Sequence, residues 1–190
     1  MTSTDPFSSR GFGAPAPWLD LVNSELWDGF GNFTECLDDP RWLRSFVRHW
    51  KLHIPPSDPA ALKALRELRT LLRHLVEKSA ATGTLAAGDL AKLNGWLKVP
   101  VFPQLVEHQS GLKLHLQPAQ IGWRQEVAGI ARSFGDSLLH EAKGHLKICA
   151  NDDCRWIFID RTKGNVRRWC NDATCGNRDR VRRARAAQKR

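Results

Sequence analysis

The sequence contains no apolar run close to the ~18 residues that a membrane-spanning helix requires. Its opening segment, MTSTDPFSSRGFGAPAPW, lacks the basic start and long apolar stretch of a secretory signal, and residues 1–15 are interpreted as a flexible leader. No internal repeat of solenoid length is present. With 42% hydrophobic and 26% charged residues, the 190-residue chain is expected to be a soluble globular protein with one ordinary domain and a small appendage.

The five cysteines are an odd number in a chain without an export signal. Disulfide frameworks belong to oxidising compartments, so this pattern indicates a reducing one. We therefore expect the protein to be cytoplasmic, with thiolates free to bind a metal ion.

The positive charge is concentrated at one end of the chain. Residues 1–160 contain 18 Lys and Arg against 18 Asp and Glu, whereas residues 161–190 contain 11 Lys and Arg against two Asp, which accounts for the whole net charge of +9. A basic cluster of this kind is typical of a polyanion-binding surface, most often for nucleic acid. A solubilising tail is the alternative interpretation.

Two long amphipathic helices are predicted. The first begins at Asp58-Pro59, where an acidic N-cap precedes a proline suited to the first helical position, and ends near Lys78. Its basic residues are interpreted as a solvated face: Lys63, Arg66, Arg69 and Arg73. The second helix runs from about Ile121 to Lys143 and stops at Gly144. Its predicted buried stripe is Val127, Ile130, Ala131, Phe134 and Leu138.

Shorter elements complete the N-terminal region. Helices are predicted at residues 40–51 and at about 87–98. Leu112, Leu114 and Leu116 alternate with polar residues, which predicts a strand with one face on a core, after a hairpin turn at Ser110-Gly111. The stretch WLDLVNS, from Trp18 to Ser24, is compatible with a short strand or with the start of a helix. The predicted class is α+β: a mostly helical domain at residues 16–144 with a small antiparallel β element, then a four-cysteine module with a basic helix at 145–190.

Four cysteines form two matched pairs with C-x4-C spacing, separated by fifteen residues: Cys149, Cys154, Cys170 and Cys175. Two short pairs of cysteines on turns are the usual way in which one chain surrounds a tetrahedral zinc ion. Disulfides do not fit a reducing compartment, and iron-sulfur clusters usually group three cysteines closely. Because four thiolates fill the coordination shell, we predict one structural Zn²⁺. Cys36, far upstream, is interpreted as a small buried hydrophobic residue.

The residues around these cysteines suggest a small basic module. Trp156 to Ile159 resemble a short strand, and Trp156, Phe158 and Trp169 are expected to pack in the core in preference to stacking on bases. From Gly176 onward a helix is predicted that carries arginines along one stripe and turns Val181 and Ala184 toward the module; a frayed basic tail is the alternative. Gly176 and Asn177 are assigned to turn geometry, with a positive backbone dihedral at the glycine.

The pattern RRWC…CGNR…RRAR, with Cys149, Cys154, Phe158 and Asp160 upstream, resembles the CGNR zinc-finger family of bacteria. That resemblance covers about forty residues and implies an N-terminal ABATE domain, found in proteins named as stress-induced transcription regulators. The segment from Leu19 to Ser24 is similar to the opening motif of that domain. Lys163-Gly164-Asn165 departs from the Ser/Arg-rich loop of the family.

No catalytic motif is recognised. His140-Glu141 and His145 lack the four-residue histidine spacing of zinc proteases, His49 and His53 have no third ligand nearby, and Gly11 and Gly13 form no phosphate loop. We therefore expect a non-enzymatic, zinc-containing transcription regulator that binds nucleic acid, DNA in preference to RNA, and whose N-terminal domain senses a small molecule or a protein. The alternative is a small-molecule-binding or catalytic N-terminal domain with a purely structural zinc module. The residues expected to contact nucleic acid are Arg161, Lys163, Arg167, Arg168, Arg178, Arg182, Arg183 and Arg185.

Overall fold

The computed structural model describes residue 12 and residues 14–108, 111–141 and 145–188. In chain order, the elements are α1 (Pro17–Val22), β1 (Glu25–Trp27), β2 (Phe33–Glu35), α2 (Pro40–His49), α3 (Pro59–Thr82), α4 (Ala87–Trp96), β3 (Val101–His108), β4 (Gly111–Pro118), α5 (Trp123–His140), β5 (Leu146–Ile148), β6 (Ile157–Ile159) and α6 (Asn177–Ala187). The strands form three separate antiparallel pairs, β1-β2, β3-β4 and β5-β6. The predicted class, mostly helical with small antiparallel pairs before a four-cysteine region and a C-terminal helix, is confirmed.

Helix α3 is the central element of the fold and packs against α1, α4, α5 and β5. Its start is fixed as predicted, because the Asp58 carboxylate accepts hydrogen bonds from the backbone N–H groups of Ala60 (2.8 Å) and Ala61 (3.3 Å). The helix continues one turn beyond Lys78 and ends at Gly83, whose φ of 72° is the left-handed conformation that glycine adopts without strain. Helix α3 thereby supplies one continuous apolar face to the core.

The core lies between α1, α2, α3 and α5. Trp18 of α1 is fully buried, packs edge-on against Phe134 of α5 at 5.0 Å between ring centroids, and donates a hydrogen bond to Ser137 at 2.8 Å. The segment WLDLVNS, for which strand and helix were both open, therefore forms α1. Of the stripe predicted on α5, Leu138 is partly buried, and four residues are fully buried: Val127, Ile130, Ala131 and Phe134. The predicted stop at Gly144 lies outside the described residues.

The prediction that the basic residues of α3 form a solvated face is wrong for Arg69 and Arg73. Arg69 is 4% exposed, and its guanidinium makes two 2.6 Å contacts with the Glu35 carboxylate of β2. Arg73 forms an ion pair with Glu25 at 3.0 Å and donates to the Val22 carbonyl at 2.7 Å. Since buried charges require partners, these arginines attach the β1-β2 pair to α3, a contact that helical spacing alone does not reveal.

The β3-β4 hairpin is present in the predicted place, but its leucines do not face a core. The register pairs Leu105 with Leu114 and Pro103 with Leu116, which puts these residues on one face. That face is open to solvent: Leu112 is 74% exposed, Leu114 60% and Leu116 37%. The alternating pattern predicted the strand correctly. Its leucines are exposed because no element in the described part of the chain covers them. Ser110 of the predicted turn lies outside the described residues.

The cysteine-rich segment packs directly onto the helical region. Strands β5 and β6 pair in the register Leu146↔Ile159, and β5 contacts α3. Leu146 and Ile157 belong to the same buried cluster as the leucines of α3. No helix in the described residues is long and apolar enough to cross a membrane.

Candidate metal centre and basic surface

The four cysteines lie in two segments, one that joins β5 to β6 and one that precedes α6. Cys149 follows β5, and its backbone N–H donates to the Trp156 carbonyl at 2.8 Å. Cys154 lies in a tight turn closed by its N–H on the Asn151 carbonyl, at 2.8 Å, after which Arg155 adopts a left-handed φ of 51°. Cys175 lies in a π-helical turn, Asp172–Gly176, that leads into α6. Each pair is therefore held by local backbone geometry.

The sulfur atoms are brought together as the spacing predicts. All four Sγ atoms lie within 4.8 Å of one another, with 3.6 Å between Cys154 and Cys170 and 3.8 Å between Cys170 and Cys175. Four sulfurs at the ~2.3 Å Zn–S distance of a tetrahedral site lie about 3.8 Å apart. The cluster therefore suits one zinc ion. In the described residues it is the only such group of histidine, cysteine and acidic side chains. His53 instead pairs with Glu126 at 2.7 Å.

The electrostatics of the cluster also fit a cation. A hydrogen bond with the Cys154 thiol, together with burial, raises the pKa of Cys149 to about 11. The neighbouring thiols Cys149 and Cys154 raise the pKa of Cys170 as well. Four thiolates at this separation require a divalent cation to compensate their charge, and Zn²⁺ supplies it. Cys36 is buried far from the cluster, and burial raises the pKa of its thiol to about 12, as expected of an inert packing residue.

Asp160 fixes the loop between β6 and Cys170. Its carboxylate is fully buried and accepts hydrogen bonds from the Thr162 hydroxyl (2.6 Å), the Lys147 ammonium (2.9 Å) and the Arg167 N–H (2.8 Å). Although burial alone would raise the pKa of Asp160, the bonds from Thr162 and Lys147 hold it well below its usual range. Asp160 was expected to matter only as part of a motif, and the structure gives it a definite role in shaping the loop.

The side chain of Asn23, at the end of α1, binds the backbone of β6. Its amide nitrogen donates to the Ile157 carbonyl and its amide oxygen accepts from the Ile157 N–H, both at 2.9 Å and both buried. This pair of bonds imitates the pairing of a neighbouring strand. Sequence reasoning identified Asn23 only as part of the segment from Leu19 to Ser24. Its position in that motif was the available signal.

Arg178, one of the residues expected to contact nucleic acid, lies against the loop between β1 and β2. Its guanidinium lies 3.9 Å from the centre of the Phe30 ring and donates to the Asp28 carbonyl at 3.0 Å. Gly29 has a φ of 84°, and a Cβ atom there would come within 2.0 Å of the guanidinium. Arg178 therefore connects the start of α6 to the N-terminal region.

Gly176 was expected to adopt a positive φ, and this expectation is wrong. Its φ is −63° and its ψ is −43°, which are ordinary helical values. The glycine is required for space, because a Cβ would lie 2.3 Å from Asp172 Oδ1 and 3.2 Å from the Trp169 ring. Asn177 is the first residue of α6. The prediction that Val181 and Ala184 face the module is also wrong: both are exposed, and Asp179 is the buried residue of α6.

The other predicted basic residues differ in exposure. Arg167 is partly buried, with its guanidinium 4.9 Å from the Phe158 ring centre, and Arg161 pairs with Glu141 at 2.5 Å. Six side chains are exposed to solvent: Arg161, Lys163, Arg168, Arg182, Arg183 and Arg185. As predicted, Phe158 is buried and Trp169 packs against the cysteine cluster.

Comparison with known families gives two matches, one in each part of the chain. The model of the ABATE family, described as "Putative stress-induced transcription regulator", matches residues 15–141. The chain belongs to the ABATE family. The CGNR zinc-finger model matches residues 145–188 of this ABATE protein and contains all four cysteines. A comparison with functionally curated proteins gave no match.

A groove of about 910 Å³ lies beside the contact between α1, which carries the ABATE motif, and β6. Asp20 of α1 borders it, is 8% exposed, and accepts a hydrogen bond from Trp50 Nε1 at 2.9 Å. Burial outweighs that hydrogen bond and raises the pKa of Asp20 from 3.8 to about 6. The described part of the chain provides no ion-pair partner for this carboxylate. We therefore expect its ionisation at neutral pH to cost stability.

Replacing this carboxylate is expected to stabilise the protein. The native state retains the Asp20 proton to about pH 6 and the unfolded chain only to 3.8, so native stability falls as the pH rises through this window. At pH 8 the ionised Asp20 carboxylate lowers the free energy of unfolding by about 3 kcal/mol, and about half of this loss is already present at pH 5. Asp20→Asn retains an acceptor for Trp50 and removes the charge. Its advantage over the wild type in urea unfolding of the zinc-loaded protein should grow by about 1.5 kcal/mol from pH 5 to pH 8. An advantage equal at both pH values would contradict this assignment.

Proposed function

We propose that this ABATE protein is a non-enzymatic transcription regulator that binds DNA through the exposed arginines of its zinc module. The proposal divides the chain into an N-terminal domain, residues 16–144, and a CGNR module, residues 145–190. The observation that carries it is the exposure of three arginines on a helix fixed beside the zinc cluster: Arg182, Arg183 and Arg185. The net charge of +9, which resides in the last thirty residues, supports the same conclusion.

The start of α6 is held by contacts with the rest of the protein, which suits a surface that binds the regular phosphate backbone of DNA. Asn151 donates to the Gly29 carbonyl at 3.3 Å and lies 3.9 Å from Cys175 Sγ. Together with the Arg178 contacts, this bond connects the helix to both the metal cluster and the β1-β2 loop. A fixed helix loses less conformational entropy on binding than a frayed tail does.

Asp179 organises the exposed arginines. It is 7% exposed, accepts a hydrogen bond from Arg182 at 3.0 Å, and also forms an ion pair with Arg183. Burial alone would raise the pKa of Asp179, but these two arginines lower it, so the carboxylate stays ionised. Arg182 and Arg183 nevertheless remain 59% exposed, and their remaining N–H groups are available to phosphate oxygens.

Binding to double-stranded DNA is expected to depend steeply on salt. Each neutralised phosphate contributes about −0.9 to the slope of log K against log salt, so four contacts predict an affinity loss of about 10²-fold between 50 and 200 mM salt. The measurement is fluorescence anisotropy of the zinc-loaded full-length protein with a labelled duplex. An RNA duplex and single-stranded DNA of equal length serve as comparisons. The proposal would be refuted if the protein bound none of these three nucleic acids at low salt.

A further inference from the structure

The groove between α1 and β6 has the dimensions of a small-molecule site. Its volume of about 910 Å³ lies in the range of known ligand pockets, ~300–1,000 Å³. Its lining includes Asp20 and Asn23 of the ABATE motif together with Trp156 and Phe158, which precede the second cysteine pair. A ligand in this groove would therefore contact both regions of the chain.

Four charged residues line the groove, and three of them are already matched. Asp28 accepts bonds from the N–H groups of Phe30 (2.7 Å) and Asn32 (3.2 Å) and from the Asn32 side chain (2.7 Å). Arg161 pairs with Glu141, and Arg178 is held by the Asp28 carbonyl and the Phe30 ring. These three groups need no ligand to satisfy them.

Asp20 is the exception. Its carboxylate is more than nine-tenths buried, borders the groove, and has Trp50 Nε1 as its hydrogen-bond donor, with no cation beside it in the described residues. A buried carboxylate without a cation costs stability, and such a cost is typical of a functional site. Its raised pKa agrees with this picture.

We propose that the groove binds a small organic cation, an ammonium or guanidinium compound, whose charged group pairs with the Asp20 carboxylate. Trp156, which is partly buried and borders the groove, provides an aromatic surface for the apolar part of such a ligand and for its charge. An anionic ligand would meet an uncompensated carboxylate, whereas a neutral one would leave that carboxylate unpaired. This inference does not depend on DNA binding.

The test uses the zinc-loaded full-length protein at pH 8 and pairs of probes that differ mainly in charge. Isothermal titration calorimetry compares butylamine with butanol, and benzylamine with benzyl alcohol. Because the ammonium group can pair with the Asp20 carboxylate and the alcohol cannot neutralise it, the amines should bind at least about tenfold more tightly than the alcohols. Asp20→Asn should abolish this preference. Asp136→Asn, which removes an exposed carboxylate of α5, should retain it.

A second measurement does not rely on any variant. In nuclear magnetic resonance spectra of the wild-type protein, benzylamine should shift the side-chain signals of Asn23 and Trp156 and leave those of the β3-β4 hairpin unchanged. Three results would overturn the proposal: no saturable binding of either amine, equal binding of amines and alcohols, or a preference for amines that persists in Asp20→Asn. Shifts confined to the hairpin would overturn it as well.

Discussion

Removal of zinc is expected to unfold residues 149–176 and to release the β1-β2 loop. A structural zinc site contributes about 10–16 kcal/mol of apparent binding energy at neutral pH, and this energy is folding energy for so small a module. The loop at residues 28–32 is included because Gly29 donates to the Asp153 carbonyl at 3.0 Å and Arg178 binds Asp28. In hydrogen exchange, chelation should accelerate the amides of both segments by at least about 100-fold, while the centres of α3 and α5 remain protected.

Two cysteine variants separate the metal site from general thiol chemistry. Cys154→Ser removes one ligand and should reduce the zinc content, measured by mass spectrometry of the purified protein, well below one per chain. Cys36→Ala removes an equally buried thiol outside the cluster and should retain the full zinc content. The metal assignment would be contradicted if Cys154→Ser bound zinc like the wild type. Unchanged hydrogen exchange at residues 149–176 after chelation would contradict the role of the metal in folding.

Replacing three of the four exposed arginines of α6, Arg182, Arg183 and Arg185, should weaken DNA binding more than an equal loss of charge elsewhere on the surface. In the variant Arg182→Gln, Arg183→Gln, Arg185→Gln, we expect the slope of log K against log salt to become less negative by about 3, with a loss of affinity of at least about tenfold at low salt. Arg178 is left intact because it connects α6 to the β1-β2 loop, and its loss would alter the position of the helix.

The control lies on α2, which presents three exposed arginines at intervals of three and four residues: Arg41, Arg44 and Arg48. Changing all three to glutamine lowers the net charge by the same amount at a different place on the surface. If DNA binding depends on α6, this control should leave the salt slope nearly unchanged. Equal weakening by the two triple variants would show that net charge alone is responsible, and the proposed interface would be rejected.

Local signals were sufficient wherever the chemistry is local. The Asp58 cap and the periodic leucines determined α3, the stripe from Val127 to Phe134 determined α5, and the alternation around Leu114 determined β4. The paired cysteine spacing likewise predicted a closed site, because each pair lies on its own short turn. In each of these cases, neighbours within a few residues dictate the structure.

The errors concern residues whose surroundings the local sequence pattern does not specify. Arg69 is buried because Glu35 lies beside it, and Arg178 contacts a loop about 150 residues earlier in the chain. Leu112 and Leu114 are exposed because no described element covers them. Gly176 is required by the proximity of Asp172 and Trp169, and no dihedral argument could have indicated that.

The sequence by itself determined the zinc ligands, the helical character of the N-terminal region and the location of the positive charge. Those features depend on residue type, spacing and composition. Only the tertiary structure placed Asn23 against β6, enclosed Asp20 beside a groove, and distinguished the anchored Arg178 from the exposed Arg182, Arg183 and Arg185. Burial and charge compensation depend on which surfaces meet, and that is decided when the whole chain packs.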